Sequence, residues 1–111
     1  MEKLRKNSLF QEVYREHRSF ADKYFVMYVR KKGLDVNRVG FSVSKKVGNS
    51  VVRHHITRLL QEAFRLSEEM FNSGLDIVII ARPGSAGISF EETKRSITGL
   101  AKRHHFYKST V

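Results

Sequence analysis

Cysteine is absent from these 111 residues, which excludes disulfide bridges, thiol nucleophiles and Cys-ligated zinc. Tryptophan is absent too, and the single proline, Pro83, leaves no Pro-rich linker or low-complexity tract. The main aliphatic run, residues 77–81, is far short of the roughly 20 apolar residues that cross a bilayer. Residues 1–7 are charged but lack the apolar stretch that follows in a secretory signal, so a reducing, cytoplasmic location is expected. No paired carboxylates, Ser/His/Asp set or HExxH pattern marks a catalytic centre. Acidic residues are scarce: 11 against 21 Lys and Arg, for a net charge of +10. That imbalance points to a polyanionic partner, nucleic acid first.

The length suits one domain, which buries about 65% of its unfolded surface and needs no metal or disulfide staple. Its charge is uneven. Residues 1–29 are net +2, residues 30–65 net +7, residues 66–93 net −4, and residues 94–111 carry five cations and no acid. The middle third is therefore the expected polyanion footprint, with the final helix as a second candidate contact.

The spacing predicts a helix over residues 8–16, opened by a Ser8/Gln11 capping box and carrying Phe10, Val13 and Tyr14 on one face. The aromatic and β-branched run 24–29, extendable back to Phe20, reads as a strand, and residues 31–37 as a turn. Val39, Phe41 and Val43 alternate with small residues over a second strand, 39–43, drawn as a hairpin with the first. A basic loop with Lys45, Lys46, Gly48 and Asn49 leads into a helix over 50–67. Its apolar face is Val52, Ile56, Leu59, Leu60 and Ala63, and its polar face His54, Arg58, Gln61 and Arg65. After a break at residues 72–74, residues 76–81 form a buried central strand. A Ser89/Glu92 capping box then starts a last helix over 90–103. The order helix, strand, strand, helix, strand, helix is an α+β fold, a single-domain α/β sandwich. Strand 39–43, helix 50–67 and strand 76–81 can form a parallel crossover, right-handed by default.

Residues 38–65, RVGFSVSKKVGNSVVRHHITRLLQEAFR, resemble the signature of the protein subunit of bacterial ribonuclease P. The likeness extends to the FxxVY pattern at Phe10, Val13 and Tyr14, to YFVMYV, to DIVIIARP and to FEETKRSI, covering about residues 7–107. The resemblance implies one RNA-binding domain, residues 1–111, ordered over about 7–107, with a central mixed sheet and a left-handed crossover in place of the default. It implies a non-catalytic subunit of an endoribonuclease that removes the 5′ leader of precursor tRNA. The RNA subunit and its Mg²⁺ would carry the chemistry, and the partners would be that RNA and precursor tRNA, with no membrane, small-molecule substrate or protein metal site.

Carried over residue by residue, the likeness implies a leader cleft of Phe10, Tyr14, Tyr28, Ser42 and Arg53. It implies a surface toward the catalytic RNA of Lys45, Lys46, Asn49, Arg53, His54, His55, Arg58, Gln61 and Arg65. Single strands suit the first set, because stacking platforms beside cations bind bases with little sequence demand. The family pattern Arg-Asn-Arg-x-Lys-Arg-x-x-Arg is altered here at His54, His55, Thr57 and Gln61. Histidine gains charge just below neutrality, so tighter RNA binding at mildly acidic pH is expected of this face.

Other readings of the same residues stay open. Aromatic stripes commonly pack inward, and a basic helix face can be merely solvated. The pairs His54-His55 and His104-His105 diverge by about 100° on a helix, which argues against a metal site. The alternative function is a general basic, ribosome-associated RNA-binding module; a stand-alone nuclease lacks the carboxylates to hold its metal.

Overall fold

The computed structural model describes residues 2–33, 36–71 and 74–104. Five strands, β1 (Glu2–Lys3), β2 (Ser19–Ala21), β3 (Phe25–Lys31), β4 (Arg38–Ser42) and β5 (Leu75–Ala81), form one mixed sheet in the order β1-β4-β5-β3-β2. Three α-helices complete the chain: α1 (Asn7–Arg15), α2 (Ser50–Ser67) and α3 (Phe90–Arg103), with short 3-10 turns at Glu68–Met70 and Pro83–Ser85.

β5 is central because, Asp76 apart, its side chains are apolar on both faces. Leu75, Ile77, Ile79 and Ala81 join the large core under α2 and α3, while Val78 turns to the other face, against Val13 of α1. A strand of that kind needs neighbours on both edges. It therefore separates the two strands drawn as a hairpin: β3 pairs antiparallel with β5, and β4 pairs parallel with β5 on the other side, so β3 and β4 never meet. The parallel crossover β4–α2–β5 is present.

Two further local expectations are corrected. The run expected to extend one strand back to Phe20 is instead a hairpin, β2 against β3. It is folded at Asp22, whose carboxylate accepts hydrogen bonds from the backbone N–H groups of Tyr24 (2.8 Å) and Phe25 (2.9 Å). The Ser8/Gln11 capping box does not form: α1 begins at Asn7 behind an extended Lys6 that makes no side-chain cap, so Ser8 already lies inside the helix.

The other two helices start where their caps dictate. Asn49 Oδ1 accepts from Val52 N–H at 3.0 Å to open α2, and Ser89 and Glu92 form the reciprocal capping box that opens α3. Such a cap contributes about 1 kcal/mol. Residues 34–35, 72–73 and 105–107, on which parts of the expected turn, break and C-terminal boundary fall, lie outside the described residues, as does His105.

Candidate nucleic-acid interface

Alternation along the strands divides the expected RNA-binding residues between the two faces of the sheet. On the α1 face, the β4–β5–β3 register lines up Arg38–Asp76–Arg30, then Gly40–Val78–Tyr28, then Ser42–Ile80–Val26. Helix α1 lies over the middle row, where Val13 is fully buried. The Phe10 ring rests on Gly40 so closely that a Cβ there would come within 2.4 Å of Phe10 Cζ. Tyr14 and Tyr28 pack edge to face with centroids 4.9 Å apart, and Phe10 lies 6.5 Å from Tyr14 in a similar T-shape.

These three aromatics are only half buried, although they flank a fully buried Val13–Val78 contact. Burial pushes the Tyr14 phenol up from its ordinary value, and the Tyr28 phenol adds to the shift, so Tyr14 remains an O–H donor at neutral pH. Ser42, also half buried, extends the same face by one row.

Two ion pairs hold this face together. Arg38 donates twice to Asp76, from Nε and Nη2, both at 2.8 Å. Arg30 Nη1 donates to Glu12 at 2.8 Å, tying α1 to β3, and that hydrogen bond holds the Glu12 carboxyl below its ordinary value.

The second surface begins with the turn after β4, where Lys45 and Lys46 are exposed and Val47 is buried in the core beneath them. Asn49 holds its side-chain oxygen toward the α2 cap, which leaves its NH₂ group to donate to a ligand. Arg53 is half buried on α2, and its Nε is buried with no hydrogen-bond partner among the described residues. An orphaned guanidinium nitrogen of this kind is costly until an acceptor arrives. His54, His55 and Arg58 are exposed.

Further along α2, Arg58, Gln61 and Arg65 line a depression of about 410 Å³ with an apolar floor of Val39, Phe41 and Phe64. Arg65 also bonds Glu62 on the exposed helix surface, which lowers the Glu62 carboxyl and raises the Arg65 guanidinium. Lys45 and Lys46 do not line this depression.

The expected leader residues Phe10, Tyr14 and Tyr28 are thus brought together, with Ser42 on the same sheet face, whereas Arg53 comes from the helix packed on the opposite face. Sequence reading missed Lys3, which β1 brings to the rim of the α2 depression, because a two-residue strand leaves no periodic signal. It also missed the Arg38–Asp76 clamp, whose partners lie 38 positions apart.

The arrangement can stack unpaired bases and bind phosphates, and it offers no acid–base or nucleophilic set. Among the described residues no three His, Asp or Glu side chains converge as a metal site would require. No helix among them is long and apolar enough to cross a membrane.

The Ribonuclease P family model matches residues 1–105. The chain belongs to the ribonuclease P protein family. It is 52% identical over 109 residues to the ribonuclease P protein component of Lachnoclostridium phytofermentans, covering 98% of this chain and 94% of that one. The component from Clostridioides difficile is 46% identical over 101 residues, covering 90% and 89%. Among solved structures, the RNase P protein of Staphylococcus aureus superposes with a TM-score of 0.87 at 31% identity, covering 97% of this chain and 99% of that one. That of Thermotoga maritima gives 0.84 at 31% identity, covering 93% and 97%. The mixed α+β sandwich is therefore the ribonuclease P protein fold, and the His54, His55, Thr57 and Gln61 departures are accommodated on α2 without disturbing it.

Proposed function

We propose that this chain is the protein subunit of a cytoplasmic ribonuclease P holoenzyme, binding the catalytic RNA through α2 and its preceding loop and the 5′ leader of precursor tRNA across the α1 face of the sheet. Family membership and the half-open aromatic group of Phe10, Tyr14 and Tyr28 are the observations that carry this reading. Leader bases would stack on the tyrosine rings, each worth about 1–3 kcal/mol with little sequence preference. Because Tyr14 and Tyr28 already fix one another edge to face, little ordering cost is left for binding. A phosphate oxygen would give Arg53 Nε the acceptor it lacks.

Toward the catalytic RNA, Lys45, Lys46, Asn49, His54, His55, Arg58, Gln61 and Arg65 supply cations and donors along one edge of the molecule. Lys3 adds a further charge at the rim. Mg²⁺ and the hydrolysis belong to the RNA subunit in this reading, and the protein's part is to position leader and ribozyme together.

The test is reconstitution with a bacterial ribonuclease P RNA at low Mg²⁺, where RNA alone is nearly silent, following leader release from precursor tRNA. Protein-dependent release at the mature 5′ end is expected. Tight, salt-sensitive RNA binding with no stimulation of an RNA shown to be active would instead favour a general RNA-binding module.

A further inference from the structure

The outward face of α3 belongs to neither surface described so far. The helix buries Thr93, Ser96, Ile97, Leu100 and Ala101 against α2 and the β2–β3 side of the sheet and turns Lys94, Arg95, Gly99 and Lys102 outward. Gly99 stands in the middle of that exposed face, and a Cβ built on it would meet nothing within 4 Å. Packing therefore does not require a glycine here, in contrast to Gly40, where the Phe10 ring occupies the space.

A mid-helix glycine weakens the helix relative to alanine, so its presence on an exposed face calls for a reason outside the chain. The surroundings supply one. Depressions of about 460 and 280 Å³ meet at this position, and Arg95 and Gly99 line both. Lys94 and Lys102 line the first. Arg103 lines the second, held in place by its hydrogen bond to Ala21 O at 2.9 Å and by stacking 4.6 Å over the Phe20 ring. Neither Lys94 nor Arg95 is in a salt bridge among the described residues. The acids on this side are Glu91 and Glu92, in the first turn, where they suit the helix dipole, and Asp22 in the second depression. Glu92 is engaged by the Tyr24 hydroxyl at 2.8 Å, and Asp22 accepts from the Ser96 hydroxyl and from the Tyr24 and Phe25 backbone N–H groups.

We propose that this face is a second RNA-docking surface, on which a phosphodiester backbone crosses the bare helix at Gly99 between Lys94, Arg95 and Lys102. Backbone phosphates suit the site because it offers cations around a strip of exposed main chain, while the aromatics beside it, Tyr24 and Phe20, are already engaged by Glu92 and Arg103. It lies on the β2–β3 side of the sheet, away from the α2 depression at the β1–β4 edge, so one protein would hold separate RNA segments at its two edges. The inference rests on RNA being the partner, as proposed above. The segment is either part of the catalytic RNA or the body of the tRNA.

The test uses the full chain carrying Lys94→Ala/Arg95→Ala or Gly99→Ala, titrated separately with a bacterial ribonuclease P RNA, with mature tRNA and with a short single-stranded oligonucleotide. The double variant is expected to weaken binding to one structured RNA and to lower its salt slope by about 2, leaving the single strand unaffected. Which RNA responds identifies the source of the backbone. Gly99→Ala is expected to raise the melting temperature by roughly 2–5 °C while weakening the same RNA severalfold, a split that a structural role alone would not produce. Unchanged affinity and slope for both structured RNAs in the double variant would overturn the proposal. A Gly99→Ala protein that binds as tightly as the parent would overturn the crossing at Gly99. If the α3 variants weaken RNA binding while reconstitution yields no leader release, the holoenzyme reading fails and this surface stands.

Discussion

The two faces of the sheet are built to different standards. Under α2 and α3 the core is closed: Phe25, Met27, Ile56, Leu60, Phe64, Ile77, Ile79, Ile97 and Leu100 are each at most 2% exposed. Across the sheet, the buried apolar cluster among the described residues is just Leu4, Val13 and Val78, and Phe10, Tyr14, Tyr28 and Ile80 remain partly open around them. Aromatic surface that could have been closed by a longer helix is left accessible, where it costs stability and is available to a ligand. One face is a closed core, and the other is left half open.

That contrast can be broken in graded steps. Leu60→Ala on the closed face should cost about 3 kcal/mol, read from urea unfolding, because the site is fully buried and cannot collapse around the lost atoms. Gly40→Ala on the open face should cost less, about 1–2 kcal/mol, because Phe10 at the rim of a half-open cluster can shift. Moving that ring should nonetheless impair leader binding. A Gly40→Ala protein that retains full leader affinity would show that the position of Phe10 is unimportant.

Smaller effects concern charge. The double variant His54→Ala/His55→Ala should bind the catalytic RNA severalfold more weakly, and unchanged affinity would remove the histidines from the interface. The Glu12–Arg30 contact, which ties α1 to β3, should be lost in acid. Its carboxyl is held below its unfolded value, so the contact stabilises at neutral pH and is lost as pH falls below the usual carboxylate range. Chemical shifts of α1 should therefore move before the closed core unfolds.

Much of the closed face was legible from residue order. Helices over 50–67 and 90–103 agree with α2 and α3 because local caps at Asn49 and Ser89/Glu92 coincide with strong apolar periodicity. The parallel crossover and the central, apolar β5 were legible for the same local reasons. Strand neighbours were not: that β5 inserts between β3 and β4 depends on long-range pairing, which no short pattern encodes. The Ser8 cap failed because α1 starts one residue earlier than its apolar spacing suggested. Phe10, Tyr14 and Tyr28 could be named in sequence, but their mutual contact exists only once α1 lies across the sheet. Lys3 carried no signal at all.

The division of labour between the two RNA surfaces is tested most directly by comparing Tyr28→Ala with Arg58→Ala in reconstituted holoenzyme. The two measurements are the affinity for precursor over mature tRNA and the affinity of the protein for the catalytic RNA. Tyr28→Ala should erase much of the preference for leader-bearing substrate with assembly intact, and Arg58→Ala should weaken assembly while sparing that preference once the complex is saturated. Equal effects of both substitutions on both readouts would contradict the account.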